Sequence, residues 1–141
     1  MKKLFSLIAF VLTISIGLLA FCGIAQAATP GIYNMVNAGV VLDVSNVKSV
    51  SQYNSNNIRV NFADGSSAVY GDTGLVVFNK IKLEPGFFYF AGATTIVNMR
   101  AARLATPYNS NNTSIYWQSG GYDVLSDTGG AVYAAIQAQS N

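Results

Sequence analysis

The sequence has no histidine and only one cysteine, Cys22, among its 141 residues. Nucleophilic catalysis of the Ser-His-Asp and Cys-His types needs a histidine, so both classes of enzyme are excluded. Zinc in proteins is bound chiefly by cysteine and histidine, so the usual zinc sites are excluded as well. The chain also lacks the glycine-rich motifs that bind phosphates and dinucleotides. We therefore expect a protein without catalytic activity, metal or cofactor.

Charged residues are scarce too, at 10% of the chain. The eight Lys and Arg residues exceed the six Asp and Glu residues by two, and Lys2 and Lys3 account for that excess. Residues 28–141 therefore have no net charge, and their few cations are scattered along the sequence. Proteins that bind nucleic acid usually have a basic patch that neutralises phosphates. The composition therefore predicts no nucleic-acid partner.

Residues 1–27 have the pattern of a bacterial signal peptide. Lys2-Lys3 precede an apolar segment, 4–19, and Ala25-Gln26-Ala27 forms a small-x-small cleavage site. We predict cleavage after Ala27, a secreted or periplasmic location, and no membrane attachment after cleavage. The alternative of a lipoprotein attached through Cys22 is not favoured, because a bulky residue directly precedes this cysteine where a small one is expected.

Two segments of the chain, 30–82 and 85–137, align with each other without a gap. Pro30 aligns with Pro85, and 15 positions are identical at this constant offset. Such self-similarity is typical of a duplicated structural unit. We predict that residues 28–141 form one α+β domain with pseudo-twofold symmetry, made by tandem duplication of a unit of ~55 residues.

Each unit is expected to be an antiparallel β-meander of three or four strands followed by one short helix. Alternating apolar residues and an Asp64-Gly65 turn predict a hairpin that pairs Val60 with Val69 and Phe62 with Ser67. In both units, alternating apolar residues predict further strands before the hairpin, and apolar residues at helical spacing predict a helix after it. The predicted strands are 32–35, 40–42, 47–50, 87–90, 95–97 and 102–105.

The second hairpin is expected to pair Ile115 with Val124 and Trp117 with Tyr122. Equivalent apolar residues of the two units should then be buried in equivalent places. The predicted pairs of core residues are Phe62 and Trp117, Val69 and Val124, Val77 and Val132, and Ile81 and Ile136.

The tripeptide Asp-Thr-Gly occurs at equivalent positions, beginning at Asp72 and Asp127. It resembles the motif that aspartic proteases have once in each half, where two carboxylates share a proton and activate a water. The surrounding residues differ from that family, and the segment that follows is predicted to be helical. The favoured interpretation is that both carboxylates cap a helix by accepting backbone N–H groups. A catalytic dyad is the alternative.

The best-matched segment of the two units is Tyr-Asn-Ser-Asn-Asn, at 53–57 and 108–112. Asparagine favours turns and offers both donors and acceptors, so the segment is either a demanding turn with a tyrosine packed beneath it or a recognition loop. Tyr116 is a further surface on which a sugar could stack. The candidate binding residues are Tyr53, Asn54, Asn56, Asn57, Tyr108, Asn109, Asn111, Asn112 and Tyr116.

The aromatic run Phe87 to Phe90 is expected either to be a central strand buried on both faces or to expose rings for self-association. Taken together, the sequence predicts a small exported, non-catalytic binding or structural module of the bacterial envelope or extracellular space. Its partner would be a cell-envelope polymer or a protein, and it could form a homo-oligomer. The alternatives are an aspartic-type hydrolase and a structural protein that assembles through the aromatic strand.

Overall fold

The computed structural model describes residues 31–139, which fold into ten strands and two short α-helices. The predicted α+β class is therefore confirmed. The helices are α1 (Val76–Ile81) and α2 (Ala131–Gln139). The strands are β1 (Ile32–Met35), β2 (Val40–Asp43), β3 (Val47–Asn54), β4 (Asn57–Phe62), β5 (Ser67–Gly71), β6 (Phe87–Phe90), β7 (Thr95–Asn98), β8 (Ala102–Asn109), β9 (Asn112–Trp117) and β10 (Tyr122–Ser126).

The strands form three antiparallel sheets arranged as layers. A five-stranded sheet in the order β5-β4-β3-β7-β6 lies between the hairpin β1-β2 and the three-stranded sheet β10-β9-β8. One core, which includes Met35 and Phe78, fills the space on the β1-β2 side. A second core, which includes Phe90 and Trp117, fills the space on the other side. None of the helices in 31–139 is both long and apolar enough to span a membrane.

Every strand of the first unit recurs in the second at the offset of the sequence alignment, with equivalent first and last positions. The predicted duplication is compatible with this periodicity and stays a prediction, as does the division of residues 28–141 into two repeats. The pairing that joins the units is not reciprocal. Strand β3 pairs with β7, whereas β8 pairs only with β9 among the described strands.

The predicted register of the hairpin β4–β5 is wrong by one residue. Val60 pairs with Ala68, and Val69 pairs with Arg59. The turn has three residues instead of two, because the Phe62 N–H donates to the Ser66 carbonyl at 2.9 Å. Gly65 adopts the left-handed conformation, at φ 89°, that this longer turn requires.

The second hairpin, β9–β10, shows the same error. Tyr122 pairs with Tyr116, and Asp123 pairs with Ile115. A shift of one residue moves a side chain to the opposite face of a sheet. Val69 and Val124, which were predicted to be buried, are therefore 46% and 41% exposed.

The other predicted core pairs are buried unequally. Trp117 is buried, whereas Phe62 is half-buried. Val77 and Ile81 are buried in the first unit, and their counterparts Val132 and Ile136 are half-buried.

The aromatic strand β6 is buried on both faces, as one interpretation predicted. Phe87 belongs to the first core, and Phe88 and Phe90 belong to the second. The strand is not central, however, because it forms an edge of the five-stranded sheet. Since these rings are inside the protein, the predicted assembly through an exposed aromatic face is wrong.

Candidate functional site

The first Asn-rich segment forms the turn between β3 and β4. The side-chain oxygen of Asn54 accepts hydrogen bonds from the backbone N–H of Asn56 and the side-chain amide of Asn57, both at 2.9 Å. Asn109 accepts the same two bonds, also at 2.9 Å, from Asn111 and Asn112. Asn54 and Asn109 therefore hold the turns, which explains why asparagine is needed at these positions.

The turns present other side chains to solvent. Tyr53 and Tyr108 are 56% and 65% exposed, so the prediction that they pack beneath the turns is wrong. The Arg59 guanidinium lies 5.1 Å from the centre of the Tyr53 ring, close enough for a cation–π contact. The equivalent of Arg59 in the second unit is Ser114, which is buried. Only the first turn therefore combines asparagine, tyrosine and arginine.

The backbone of each turn is tied to the Asp-Thr-Gly segment of its own unit. The Asp72 N–H donates to the Asn56 carbonyl at 2.7 Å. The Asp72 carboxylate is buried and accepts the N–H groups of Val77 at 3.0 Å and Phe78 at 2.8 Å. The aspartate thus joins the turn to the first turn of α1.

Asp127 makes the equivalent contacts. Its N–H donates to the Asn111 carbonyl at 2.7 Å, and its carboxylate accepts the N–H groups of Val132 at 2.9 Å and Tyr133 at 3.0 Å. The hydroxyl of Thr113 donates a further bond, at 2.8 Å. Each carboxylate therefore stabilises the start of a different helix.

Short 3₁₀ segments, Thr73–Leu75 and Thr128–Gly130, separate the two aspartates from the α-helices that they cap. Each aspartate therefore reaches the helix from beyond the usual N-cap position. The alternative of a catalytic dyad requires the carboxylates of Asp72 and Asp127 to share a proton. Within residues 31–139, the two carboxylates make no hydrogen bond to each other. Among the same residues, no cluster of three or more acidic, cysteine or histidine side chains could hold a metal ion.

Tyr116 lies apart from the Asn-rich turns, near the far end of β9. It is half-buried, and its ring stacks on Tyr122 with a centroid distance of 5.3 Å and an interplanar angle of 27°. Four residues of extended strand, about 13 Å, separate Tyr116 from Asn112. The structure therefore does not bring this predicted residue into the same site as the turns.

Burial changes the charge that the surface presents. Asp72 and Asp127 are buried, and half-buried Glu84 accepts hydrogen bonds from the Gly31 N–H at 3.0 Å and from the Tyr33 hydroxyl. Burial of Tyr33 and its bond to Glu84 raise the pKa of this tyrosine well above its usual value. Half of the six acidic residues are thus withdrawn from full exposure.

Within residues 31–139, four cations are exposed: Arg59, Lys80, Arg100 and Arg103. The exposed acids are Asp43, Asp64 and Asp123. Hydrogen bonds from Ser45 and Ser66 lower the pKa values of Asp43 and Asp64, respectively. The exposed surface is therefore slightly basic, a property that a count of charges in the sequence misses.

No family model and no curated protein matches the chain. A solved structure is similar: a domain described as the LytTr DNA-binding domain of a methyl-accepting/DNA response regulator from Bacillus cereus. The TM-score is 0.55 at 12% sequence identity, and the match covers 78% of this chain and 96% of that one. At this level of identity, the likeness establishes a shared fold.

This likeness contradicts two predictions from the sequence. The first is the function as a binding or structural module of the bacterial envelope or extracellular space. The second is the absence of a nucleic-acid partner, since the similar domain is a DNA-binding one. That second prediction used net charge, which was counted without regard to which carboxylates are buried. The predicted signal peptide, residues 1–27, lies outside the described residues, so cleavage and location stay predictions.

Proposed function

We propose that this chain contains a non-catalytic domain that binds double-stranded DNA. The observation that carries the proposal is the likeness of its fold to a DNA-binding domain, over 96% of that domain's length. The exposed cations and polar hairpin turns of this chain are compatible with such a role.

The turn between β3 and β4 is the part of the chain that we expect to enter a groove of the DNA. The major groove is about 12 Å wide and admits a two-stranded β-ribbon. The side chain of Asn56 is exposed and makes no hydrogen bond within residues 31–139. An asparagine amide can donate to and accept from an adenine edge. Arg59 can bind a guanine edge or a phosphate beside it.

The second turn, 109–112, has no arginine near its tip. Tyr108 and Ser110 are exposed there and can donate hydrogen bonds to phosphate oxygens. We therefore assign base recognition to the first turn and positioning on the backbone to the second.

The small number of exposed cations limits the electrostatic part of the affinity. Each neutralised phosphate adds about 0.9 to the slope of the logarithm of the binding constant against the logarithm of salt concentration. We expect a shallow slope, of roughly 2 to 4, because only four cations of residues 31–139 are exposed.

The proposal is tested by selecting duplexes from a randomised pool and measuring binding by fluorescence anisotropy. Arg59→Gln should weaken binding to the selected duplex and lower the salt slope by about 1. Arg100→Gln is the matched control. This substitution removes the same charge. Arg100 follows β7 and lies at the end of the sheet where β3 begins, away from the turn between β3 and β4.

Asn56→Ala should relax the preference at one base pair, by about 1–3 kcal/mol, and leave non-specific binding unchanged. If the chain binds the selected and scrambled duplexes equally, or binds neither, the proposal is wrong. If both arginine variants lose affinity equally, the turn is not the interface.

A further inference from the structure

The second unit has an open groove beside the free edge of β8. The groove has a volume of about 460 Å³ and is lined by residues of β8, α2 and β6. Leu104, on β8, is 48% exposed there. Arg100 and Arg103 also line the groove.

The equivalent groove of the first unit is filled by the hairpin β6–β7. Strand β7 pairs with the edge of β3 through Val50 and Ile96. Tyr89 packs edge-on against Phe78, with ring centroids 5.9 Å apart. The side-chain amide of Asn98 donates to the Val47 carbonyl at 2.8 Å.

The outer face of the hairpin β1–β2 corresponds to the face of β6–β7 that fills this groove. In the alignment of the two units, Ile32, Asn34 and Val41 occupy the positions of Phe87, Tyr89 and Ile96. Ile32 and Val41 are 39% and 68% exposed, and Asn34 is exposed. Among the described strands, β2 pairs only with β1. Among residues 31–139 there is thus one open groove of this kind, and one hairpin face of the kind that fills it is left uncovered.

We propose that a second copy of this chain fills the groove, with β2 of one molecule pairing antiparallel to β8 of the next. The contact between β3 and β7 supplies the register. In that contact Val50 of β3 pairs with Ile96 of β7. The equivalent of Val50 is Ala105 on β8, and the equivalent of Ile96 is Val41 on β2. The proposed contact therefore places Ala105 opposite Val41. The exposed apolar side chains of Val41 and Leu104 would then be covered.

The charges of the two edges are complementary in this register. Extending the pairing by one residue beyond Leu104 and Leu42 places Arg103 opposite Asp43. Arg103 lines the groove, and Asp43 is exposed on β2. The buried contact of the first unit has neutral Asn98 at the position of Asp43, so an opposite pair of charges is specific to the proposed contact.

The contact uses different surfaces on the two molecules, so each added molecule leaves a new free β8 edge. Repetition of such a contact gives open chains unless the rotation happens to close a ring. This inference depends on the edges of the sheets and not on the proposed binding of DNA.

Sedimentation velocity on the full chain without DNA tests the proposal. The wild type should form larger species as its concentration rises. Val41→Lys should weaken association about tenfold or more, which corresponds to ~1.4 kcal/mol for each factor of ten. Val69→Lys is the matched control, because Val69 is an exposed valine on another free edge, β5, and its replacement should leave association unchanged.

Charge reversal and cross-linking test the register. Arg103→Asp and Asp43→Arg should each weaken association, and a mixture of the two single variants should restore it, because every contact between unlike variants then pairs an aspartate with an arginine. In a Cys22→Ser background, a mixture of Val41→Cys and Ala105→Cys proteins should form a disulfide-linked dimer. Opposed positions in an antiparallel pair are close enough for this bond.

A wild type that stays monomeric at every soluble concentration would overturn the proposal. So would equal effects of Val41→Lys and Val69→Lys, or cross-linking of each cysteine variant as readily alone as in the mixture. A monomer whose Ala105→Cys thiol is protected from alkylation until residues 1–30 are removed would show that this segment, and not a second copy, fills the groove.

Discussion

Replacement of Asp72 by alanine tests the most specific contact that the structure assigns to the repeated tripeptide. Asp72 is 4% exposed, and both oxygens of its carboxylate accept backbone N–H groups, those of Val77 and Phe78. Alanine leaves these two donors without their partners at the start of α1. We therefore expect Asp72→Ala to lower the free energy of unfolding without abolishing the fold.

The expected magnitude follows from the two bonds. A hydrogen bond to a charged group contributes about 1.5–3 kcal/mol, and the helix N-terminus favours a nearby negative charge by a further 0.3–1 kcal/mol or so. Water can replace part of both terms once the side chain is removed. We expect a loss of about 2–4 kcal/mol, above the roughly 0.5–2 kcal/mol typical of an N-cap that makes one bond.

Urea denaturation followed by far-UV circular dichroism measures this loss. With a slope of about 1–3 kcal/mol per molar urea, the midpoint should fall by roughly 1–2 M. Asp72→Asn should recover only part of the loss, because one carboxylate oxygen becomes an amide donor that faces another donor. Asp64→Ala is the control, since Asp64 accepts similar bonds from Ser66 but is exposed, and it should cost less.

The reasoning would be refuted if Asp72→Ala cost no more than Asp64→Ala. Full recovery by Asp72→Asn would also contradict it, because the structure uses both oxygens as acceptors. Such a result would mean that one bond, and not two, stabilises the helix.

Three further predictions concern other parts of the fold. Gly92→Ala should lower the unfolding temperature, because the added Cβ would lie 2.5 Å from the Ser126 hydroxyl oxygen, and Ser126→Gly should restore it in the double variant. The wild type should lose stability as pH rises above about 10, because the pKa of Tyr33 is higher in the folded state and its contribution to stability is complete only below the pKa of the unfolded state. Tyr33→Phe should flatten that part of a plot of urea midpoint against pH. Trp117→Ala should cost about 3–5 kcal/mol in urea denaturation, and Phe62→Ala should cost less because Phe62 is only half-buried.

The existence and order of the strands could be predicted from the sequence because each unit supports the other. Alternation alone is ambiguous over a segment as short as 32–35, but the aromatic run at the equivalent position of the second unit, 87–90, strengthens the assignment because aromatic residues are enriched in strands. The periodicity fixes the ends of elements less well, and β3 extends to Asn54, well beyond the predicted end at Val50.

The hairpin registers could not be predicted with the same success, because they depend on one backbone angle. Asp64-Gly65 fits a two-residue turn, and it also fits a three-residue turn with glycine in the left-handed position. The structure adopts the second, and Val69 consequently faces solvent. The distribution of exposed charge could not be predicted for a similar reason, since burial of Asp72 and Asp127 is a tertiary property that composition does not report.

The two units differ at single positions and still preserve equivalent contacts within each unit. In the first unit, a Cβ on Gly71 would lie 3.3 Å from the Cβ of Asn37. In the second unit, the glycine is on the other side of the contact, as Gly92, and the side chain is that of Ser126. Each contact has room for one side chain, so position-by-position comparison finds no identity although the packing is the same.

The edges of β2 and β8 are the exception to this preservation. The contact that β3 makes with β7 joins the first unit to the second, and its counterpart would join the second unit to a further β2. Residues 31–139 contain no strand that could supply it, because their own β2 lies on the far side of the first core. A repeating contact that ends in a free edge and an uncovered hairpin has the geometry for continuation into another molecule. That argument selects β2 and β8 for self-association over the edges β5, β6 and β10, because the equivalents of those three edges are free in both described units.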